Sequence, residues 1–194
     1  INLEINVAKQ NLRIINTISD GRCFYDSVYK CLLNLDKSKL NIFGQILVNM
    51  EGDYNDRIKD IIKMLKDTAL EYILDHPEFK TFLSEEIDSY KERMRREYEY
   101  ADNIIITAVS CVLDLNINII HNKDSNKNTI SCLNKNINKN NSITLAYYQT
   151  ATTNAQESGH YMATKHKDIP LLQHEEYNFL DYSSFITNLK KIFD

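Results

Sequence analysis

The stretch Asp20-Gly21-Arg22-Cys23-Phe24-Tyr25-Asp26-Ser27 decides the fold, because it joins an extended segment to a helix. Gly21 lies in a polar turn and is expected to adopt a backbone conformation that other residues avoid. From Cys23 onward the apolar residues repeat with helical spacing, which predicts one buried helix face. The residues of this face are Phe24, Val28, Cys31, Leu32 and Leu35.

Cys23 occupies the predicted first turn of this helix. Unpaired backbone N–H groups there stabilise a thiolate, and they also stabilise the oxyanion that forms when a thiolate attacks a carbonyl. We therefore predict a reactive Cys23 with a lowered pKa, with Asp20 at the mouth of the same turn. A capped helix with a buried cysteine is the alternative interpretation.

A cysteine nucleophile also needs a base, and a histidine from elsewhere in the chain would supply it. His160 is the best placed, because it follows Ser158-Gly159 and opens a short predicted strand. A strand edge after a flexible loop fixes an imidazole and leaves it open to substrate. The other histidines are predicted to be solvated, and they are His76, His121, His166 and His174.

Helices dominate the first part of the chain and strands follow, which predicts an α+β domain or a three-layer α/β arrangement. The predicted helices are 23–35, 54–74 (ended by His76-Pro77), 84–99 (capped by Ser84), 103–113 (capped by Asp102) and 183–193. The predicted strands are 12–18, 117–121, 143–148 and 160–164. The Asn/Lys tract 122–141 is predicted to be mostly a solvated loop with one short strand at 129–133.

Bulk composition excludes several classes of protein. The chain has 194 residues with only 4 Gly and 2 Pro, which excludes collagen-like and linker-rich architectures. Its net charge of -4 gives no footprint for nucleic acid or an anionic membrane. No apolar run approaches the roughly 20 residues of a membrane span. The chain begins Ile1-Asn2-Leu3-Glu4, with neither an initiator Met nor a signal peptide, so we expect a fragment of a longer protein.

The cysteines predict neither a metal site nor a disulfide framework. They stand at positions 23, 31, 111 and 132, with no CxxC pair and with irregular spacing. We therefore expect four reduced thiols and a cytosolic location. Cys31 and Cys111 fall on apolar helix faces and are predicted to be core residues.

Three segments, in order, resemble the ovarian tumour (OTU) family of cysteine deubiquitinases. Asp20 to Tyr25 resembles the family's nucleophile motif, D-G-x-C-[LF]-[FY]. Gly159-His160-Tyr161 resembles its late histidine motif, in which an aromatic residue follows the histidine. Residues 90–94 and 100–120 resemble the central block, where a helix precedes a strand of the form I-x-I-I. Order and spacing agree over most of residues 19–164.

The resemblance implies a papain-like α+β fold with a small central sheet between helices. It implies one catalytic domain over residues 1–194, with a matched core of about 12–165 and a helical extension over 166–194, acting as a monomer without a cofactor. The implied nucleophile is Cys23 and the implied base is His160. The implied oxyanion donors are the backbone N–H groups at Asp20, Gly21 and Arg22. The implied substrate-binding residues are Gly159, Tyr161 and Asn103.

The chain departs from the family pattern at two structural sites and at one that bears on catalysis. Tyr100-Ala101-Asp102 replaces Trp-Gly-Gly, and Ile105 replaces a glutamate. Many members carry Asn or Asp two residues after the histidine, where this chain has Met162, a weak hydrogen-bond acceptor. We assign the acid role to Asp20. Asn154, Thr164 or a cysteine–histidine dyad remain alternatives.

The resemblance implies hydrolysis of isopeptide bonds after the C-terminal Gly of ubiquitin or a ubiquitin-like protein. One alternative is a ubiquitin-binding domain without turnover, favoured by Met162. Another is a papain-like protease or acyltransferase with a different substrate. The Ile/Asn/Lys bias suits an intracellular bacterium or a virus, in which case the ubiquitin would belong to the host cytosol. No motif indicates a chain-linkage preference.

Overall fold

The computed structural model describes residues 2–124, 126–149, 159–172 and 175. Within them a mixed sheet has the strand order β1-β5-β4-β2-β3. The strands are β1 (Leu12–Ile15), β2 (Asn116–His121), β3 (Lys127–Ile130), β4 (Ser142–Gln149) and β5 (Gly159–His166). Neighbouring strands are antiparallel except β2 and β4, which run parallel. β5 is thus an interior strand, held on both sides.

Helices cover both faces of this sheet. They are α1 (Asn2–Lys9), α2 (Cys23–Leu33), α3 (Ile42–Val48), α4 (Tyr54–Asp75), α5 (Pro77–Lys80), α6 (Ile87–Arg95) and α7 (Asn103–Leu113). The large core joins α2, α4 and α7 to one face of the sheet. A smaller core joins α1 to the other face. The predicted α+β fold, with a small sheet between helices, is confirmed.

Local capping explains why some boundaries agree with the sequence prediction. α7 begins at Asn103 because the Asp102 side chain accepts the N–H of Ile105, and it ends in a left-handed Asp114. α6 is shorter than predicted, and Ser84 does not cap it. Its buried positions are Tyr90 and Met94.

Other elements differ from the sequence prediction. α1 and α3 were not predicted, because each spans only about two helical turns. β1 ends at Ile15, three residues earlier than predicted, and β5 continues to His166. The predicted helix 183–193 lies outside the described residues. None of the described helices is long and apolar enough to cross a membrane.

A disulfide joins Cys111 to Cys132, so the prediction of four reduced thiols is wrong for this pair. β3 pairs with β2 and turns the following residues back onto α7, where the two Cα atoms lie 4.7 Å apart. Sequence spacing could not show this, because the sheet brings the two cysteines together. Cys23 and Cys31 are free and buried.

Candidate active site

The nucleophile turn is closed by its own hydrogen bonds. The N–H of Cys23 donates to the carbonyl oxygen of Asp20 at 3.0 Å. The N–H of Arg22 donates to Oδ1 of Asp20 at 2.8 Å. The predicted oxyanion role of the Arg22 N–H therefore requires the Asp20 carboxylate to release it.

Gly21 is needed for a close approach, and the expectation of an unusual backbone conformation is wrong. Among the described glycines only Gly52 has a positive φ. A Cβ at position 21 would lie 1.7 Å from the carbonyl oxygen of Tyr98. The segment between α6 and α7 therefore rests directly on the backbone of the nucleophile turn.

The Cys23 thiol is buried, with only 1% of the residue exposed. Burial raises its pKa to about 12, and the negative charges of Asp20 and Asp26 act in the same direction. Backbone hydrogen bonds with Tyr161 and Phe24 favour the thiolate but do not outweigh burial. The predicted lowering of this pKa is therefore wrong, and Cys23 is a neutral thiol at neutral pH.

His160 is the second residue of β5 and is 4% exposed. Loss of hydration lowers its pKa to about 4, and the charge of Asp20 opposes this shift. Since the next residue, Tyr161, forms a backbone hydrogen bond with Cys23, the start of β5 lies against the nucleophile. At neutral pH the cysteine and the histidine are both uncharged.

Asp20 is clamped by Arg22. The guanidinium donates to both carboxylate oxygens, with Nη2 at 2.7 Å from Oδ2 and Nε at 3.0 Å from Oδ1. Burial tends to raise the pKa of Asp20, but the hydrogen bonds and charge of Arg22 hold it below its usual value. Its charge also acts on His160. The structure thus brings Cys23, His160 and Asp20 within electrostatic range of one another.

The Met162 side chain lies beneath α1, in apolar surroundings. Met162 is 1% exposed and shares the small core with Leu3 and Val7 of α1. His160 and Met162 point to the same face of β5, since side chains alternate along a strand. Hydrophobic side chains therefore fill the place where the resemblance implies a polar partner for the histidine.

Thr164 and Asn154 are the two other candidates for the acid role. The hydroxyl of Thr164 donates to the carbonyl of Thr144 at 2.6 Å. Thr164 also lies four residues beyond His160 along β5, a distance of about 13 Å. It therefore cannot orient the imidazole. Asn154 lies outside the described residues.

Tyr148 is a neighbour of His160 that the sequence did not reveal. The two residues stand directly opposite each other on the antiparallel strands β4 and β5, and so share one face of the sheet. Tyr148 is partly buried against the small core. Only the strand register identifies this neighbour.

Asp26 was also missed, although it stands in the nucleophile stretch itself. Its buried carboxylate accepts the N–H of Ile18 at 2.9 Å, lies 3.2 Å from Nζ of Lys30, and accepts the hydroxyl of Tyr54. Lys30 in turn donates to the carbonyl of Asn16 at 2.6 Å. This network holds the segment that leads into the turn. No sequence signal marks it, because Asp26 lies opposite the predicted apolar stripe, and α2 turns out to be buried on all sides.

The residues predicted to bind substrate are placed in different surroundings. The ring of Tyr161 packs between Phe24, at 5.4 Å, and Tyr147, at 4.5 Å between centroids. Gly159 lies against the Tyr147 ring, since a Cβ there would be 2.0 Å from its hydroxyl oxygen. Asn103 is exposed at the start of α7 and lines a separate groove. In the described part of the chain, no group of three or more His, Cys, Asp or Glu side chains could hold a metal ion.

Comparison with known proteins identifies the family. The family model for OTU-like cysteine proteases matches residues 18–161, more than half of the chain. No curated protein sequence matches significantly.

Solved structures share the fold at low sequence identity. The OTU domain of OTUD1 is 16% identical, with a TM-score of 0.57 and coverage of 84% of this chain and 92% of that one. An OTU deubiquitinase from Wolbachia pipientis wMel is 13% identical, with a TM-score of 0.51 and coverage of 81% and 90%. An OTU domain solved in complex with ubiquitin is 13% identical, with a TM-score of 0.50 and coverage of 93% and 88%. The chain belongs to the OTU-like cysteine protease family.

Proposed function

We propose that this chain is a cysteine-type deubiquitinase that hydrolyses the isopeptide bond after the C-terminal Gly of ubiquitin or a ubiquitin-like protein. The observation that carries the proposal is Cys23 at the first residue of α2, against the start of β5, with the charge of Asp20 acting on His160. Membership of the OTU-like cysteine protease family supports the same chemistry. The similar OTU domain bound to ubiquitin supports ubiquitin as the partner.

In the proposed mechanism His160 takes the Cys23 proton as the sulfur attacks the scissile carbonyl. Both groups start neutral, with pKa values of about 12 for Cys23 and about 4 for His160. Proton transfer therefore accompanies bond formation and does not precede it. The protonated imidazole then gives its proton to the departing lysine amine, which leaves a thioester on Cys23.

Water completes the cycle. His160 removes one proton from water as the oxygen attacks the thioester and passes it to the sulfur of Cys23 as the carbon–sulfur bond breaks, and the product acid loses the other water proton to solvent. Asp20 stabilises the imidazolium in both halves of the reaction through its charge. Backbone N–H groups of the nucleophile turn hold the oxyanion once the Asp20 carboxylate has released that of Arg22.

A ubiquitin probe with a C-terminal electrophile tests this proposal. The wild-type chain should form a covalent adduct, and Cys23→Ala should form none. Cys31→Ala is the matched control, because Cys31 is the other free buried cysteine, and it should react like the wild type. An adduct that survives Cys23→Ala, or no adduct with the wild type, would contradict the proposed nucleophile.

A ubiquitin-binding domain without turnover is the second candidate. The apolar burial of Met162 favours it, because it removes a polar partner for His160. Binding of unmodified ubiquitin, together with no adduct and no cleavage of di-ubiquitin of any linkage, would support this reading. Cleavage of any di-ubiquitin would exclude it.

A further inference from the structure

A basic cavity of about 400 Å3 lies between α4 and the segment that follows α6, and it reaches the nucleophile turn. Its cationic lining residues are Arg22, Lys59, Lys63, Lys66 and Arg95. Two carboxylates, Asp67 and Glu97, also line it, so the formal charge of the lining is five minus two, or +3. The whole chain carries -4. The positive charge is therefore concentrated at this place.

Lys66 forms a fixed part of the cavity wall. It is 4% exposed, and its ammonium donates to the carbonyl of Arg96 at 2.7 Å and that of Glu97 at 3.2 Å. These bonds tie the segment after α6 to α4. The shape of the cavity is thus maintained by backbone contacts.

The other cations are only partly neutralised. Lys59 is exposed, and none of the described carboxylates lies within 4 Å of its ammonium. The guanidinium of Arg95 lies 3.5 Å from Asp67 and 4.0 Å from Glu71, and Asp67 also accepts from Lys63. Exposed pairs of this kind contribute little, so another anion can compete for these cations.

Arg22 connects the cavity to the reaction centre. It precedes Cys23 directly, and adjacent Cα atoms are about 3.8 Å apart. Besides its tight pair with Asp20, its guanidinium lies 3.7 Å from Glu97 across the cavity rim. The guanidinium also holds both oxygens of Asp20, whose charge acts on Cys23 and His160, so an anion at this rim would lie near the reaction centre.

We propose that the basic cavity binds an anionic group of the substrate, a carboxylate or a phosphate, next to the bond that is cleaved. Arginine and lysine hold both groups through charge-assisted hydrogen bonds. The source that fits best is an acidic side chain of the protein whose lysine carries ubiquitin. The inference rests on the proposed function, because it takes Cys23 as the nucleophile.

The first test measures binding without any turnover. Inorganic phosphate is added to the isotope-labelled full chain at constant ionic strength, and amide NMR shifts are followed. Shifts are expected at the cavity, around Arg22 and Lys66, and they should disappear in the double variant Lys59→Glu/Lys63→Glu. The matched control Lys80→Glu/Lys123→Glu changes the same charge at exposed sites outside the cavity and should keep them.

The second test uses ubiquitin joined to a short peptide through a lysine that is flanked by either aspartates or asparagines. The wild type should cleave the aspartate substrate with a kcat/KM about fivefold higher, the size expected for two exposed charge interactions. Lys59→Glu/Lys63→Glu should abolish the preference, and Lys80→Glu/Lys123→Glu should retain it.

The outcomes separate this inference from the proposed function. Failure of the wild type to form a probe adduct or cleave either peptide would contradict the proposed function, while the phosphate titration still reports on the cavity. Equal cleavage of both peptides together with phosphate shifts would make the cavity a site for free phosphate and overturn the substrate assignment. Equal cleavage without shifts would overturn the anion site itself.

Discussion

The cysteine side and the histidine side of the site are built in different ways. Cys23 is held by a short contiguous turn, in which Asp20 and Arg22 bond to each other and to the backbone around them. His160 is held by an interior strand whose partners lie far away in sequence, and α1, from the other end of the chain, covers its neighbour Met162.

Each side therefore tolerates a different kind of change. On the cysteine side a larger residue would meet backbone, because the Tyr98 carbonyl lies against Gly21. On the histidine side a larger residue would meet side chains, which can rotate or be replaced. Examples are Tyr147 beside Gly159 and Met162 beneath α1. Changes on the two sides should therefore differ in the size of their effects.

The histidine side should dominate the pH dependence of stability. The pKa of His160 falls from 6.5 to about 4 on folding, so the unfolded chain binds more protons between these values. The contribution is complete above pH 6.5 and is lost as the pH falls towards 4. It amounts to about 3 kcal/mol of unfolding free energy. Denaturant unfolding of the wild type and His160→Gln across this range measures it.

The difference between the two unfolding curves isolates His160, since other titrating groups are shared. The gap between wild type and variant should change steeply between pH 6.5 and 4. A constant gap would mean that His160 is not buried in its neutral form.

On the cysteine side, Gly21→Ala should reduce kcat/KM about 100-fold. The new Cβ would overlap the Tyr98 carbonyl, so the turn must move by about 1 Å, and a displacement of that size in a catalytic group costs about this much. Gly159→Ala is the matched change on the histidine side. Its Cβ meets the end of the Tyr147 side chain, which can rotate, so the loss should stay below about tenfold.

The rate of adduct formation with the ubiquitin probe measures both variants. Equal losses would remove the distinction between a backbone-limited and a side-chain-limited half of the site.

Met162→Asn restores a polar residue two positions after the histidine and should still be harmful. The amide would be buried among Leu3, Val7 and Ile14, at a cost of about 2 kcal/mol of unfolding free energy. Met162→Leu conserves volume and should cost less than about 1.5 kcal/mol. Chemical denaturation compares the two, and a gain in kcat for Met162→Asn would show that the amide reaches His160 in spite of α1.

Asp20→Asn should lower kcat about tenfold, the smallest effect of the series. The variant removes the negative charge that raises the pKa of His160 and stabilises its imidazolium. The acid limb of the kcat/KM profile should therefore move to lower pH. Glu97→Gln is the control, because Glu97 also pairs with Arg22, at 3.7 Å, and should leave that limb unchanged.

Local signals explain the parts of the fold that the sequence predicts well. The bounds of α7 agree because Asp102 caps it, and those of α4 agree within one residue because Asp53 caps its start and His76-Pro77 ends it. α1 was missed, although it decides the surroundings of Met162. Its eight residues make only about two turns, so the i, i+4 spacing of Leu3 and Val7 has no third apolar position to support it.

The candidate site, like the fold, can be predicted from the sequence only in part. The sequence identifies Cys23 and His160, because each lies in a short contiguous motif. Their pKa directions could not be read, because burial depends on packing from α1, α2 and β4 together. Likewise, the sequence indicates backbone flexibility at Gly21, whereas glycine is required there because Tyr98 lies against it. Tyr98 is 77 residues later in the chain.

The bond between Cys111 and Cys132 encloses the hairpin of β2 and β3, together with part of the Asn/Lys tract. A protease that cuts the backbone once inside this ring does not separate the chain into two molecules. The pieces before and after the cut remain covalently joined and would run together on a gel until a reductant is added. The tract can therefore be opened while the halves that carry Cys23 and His160 stay linked to each other.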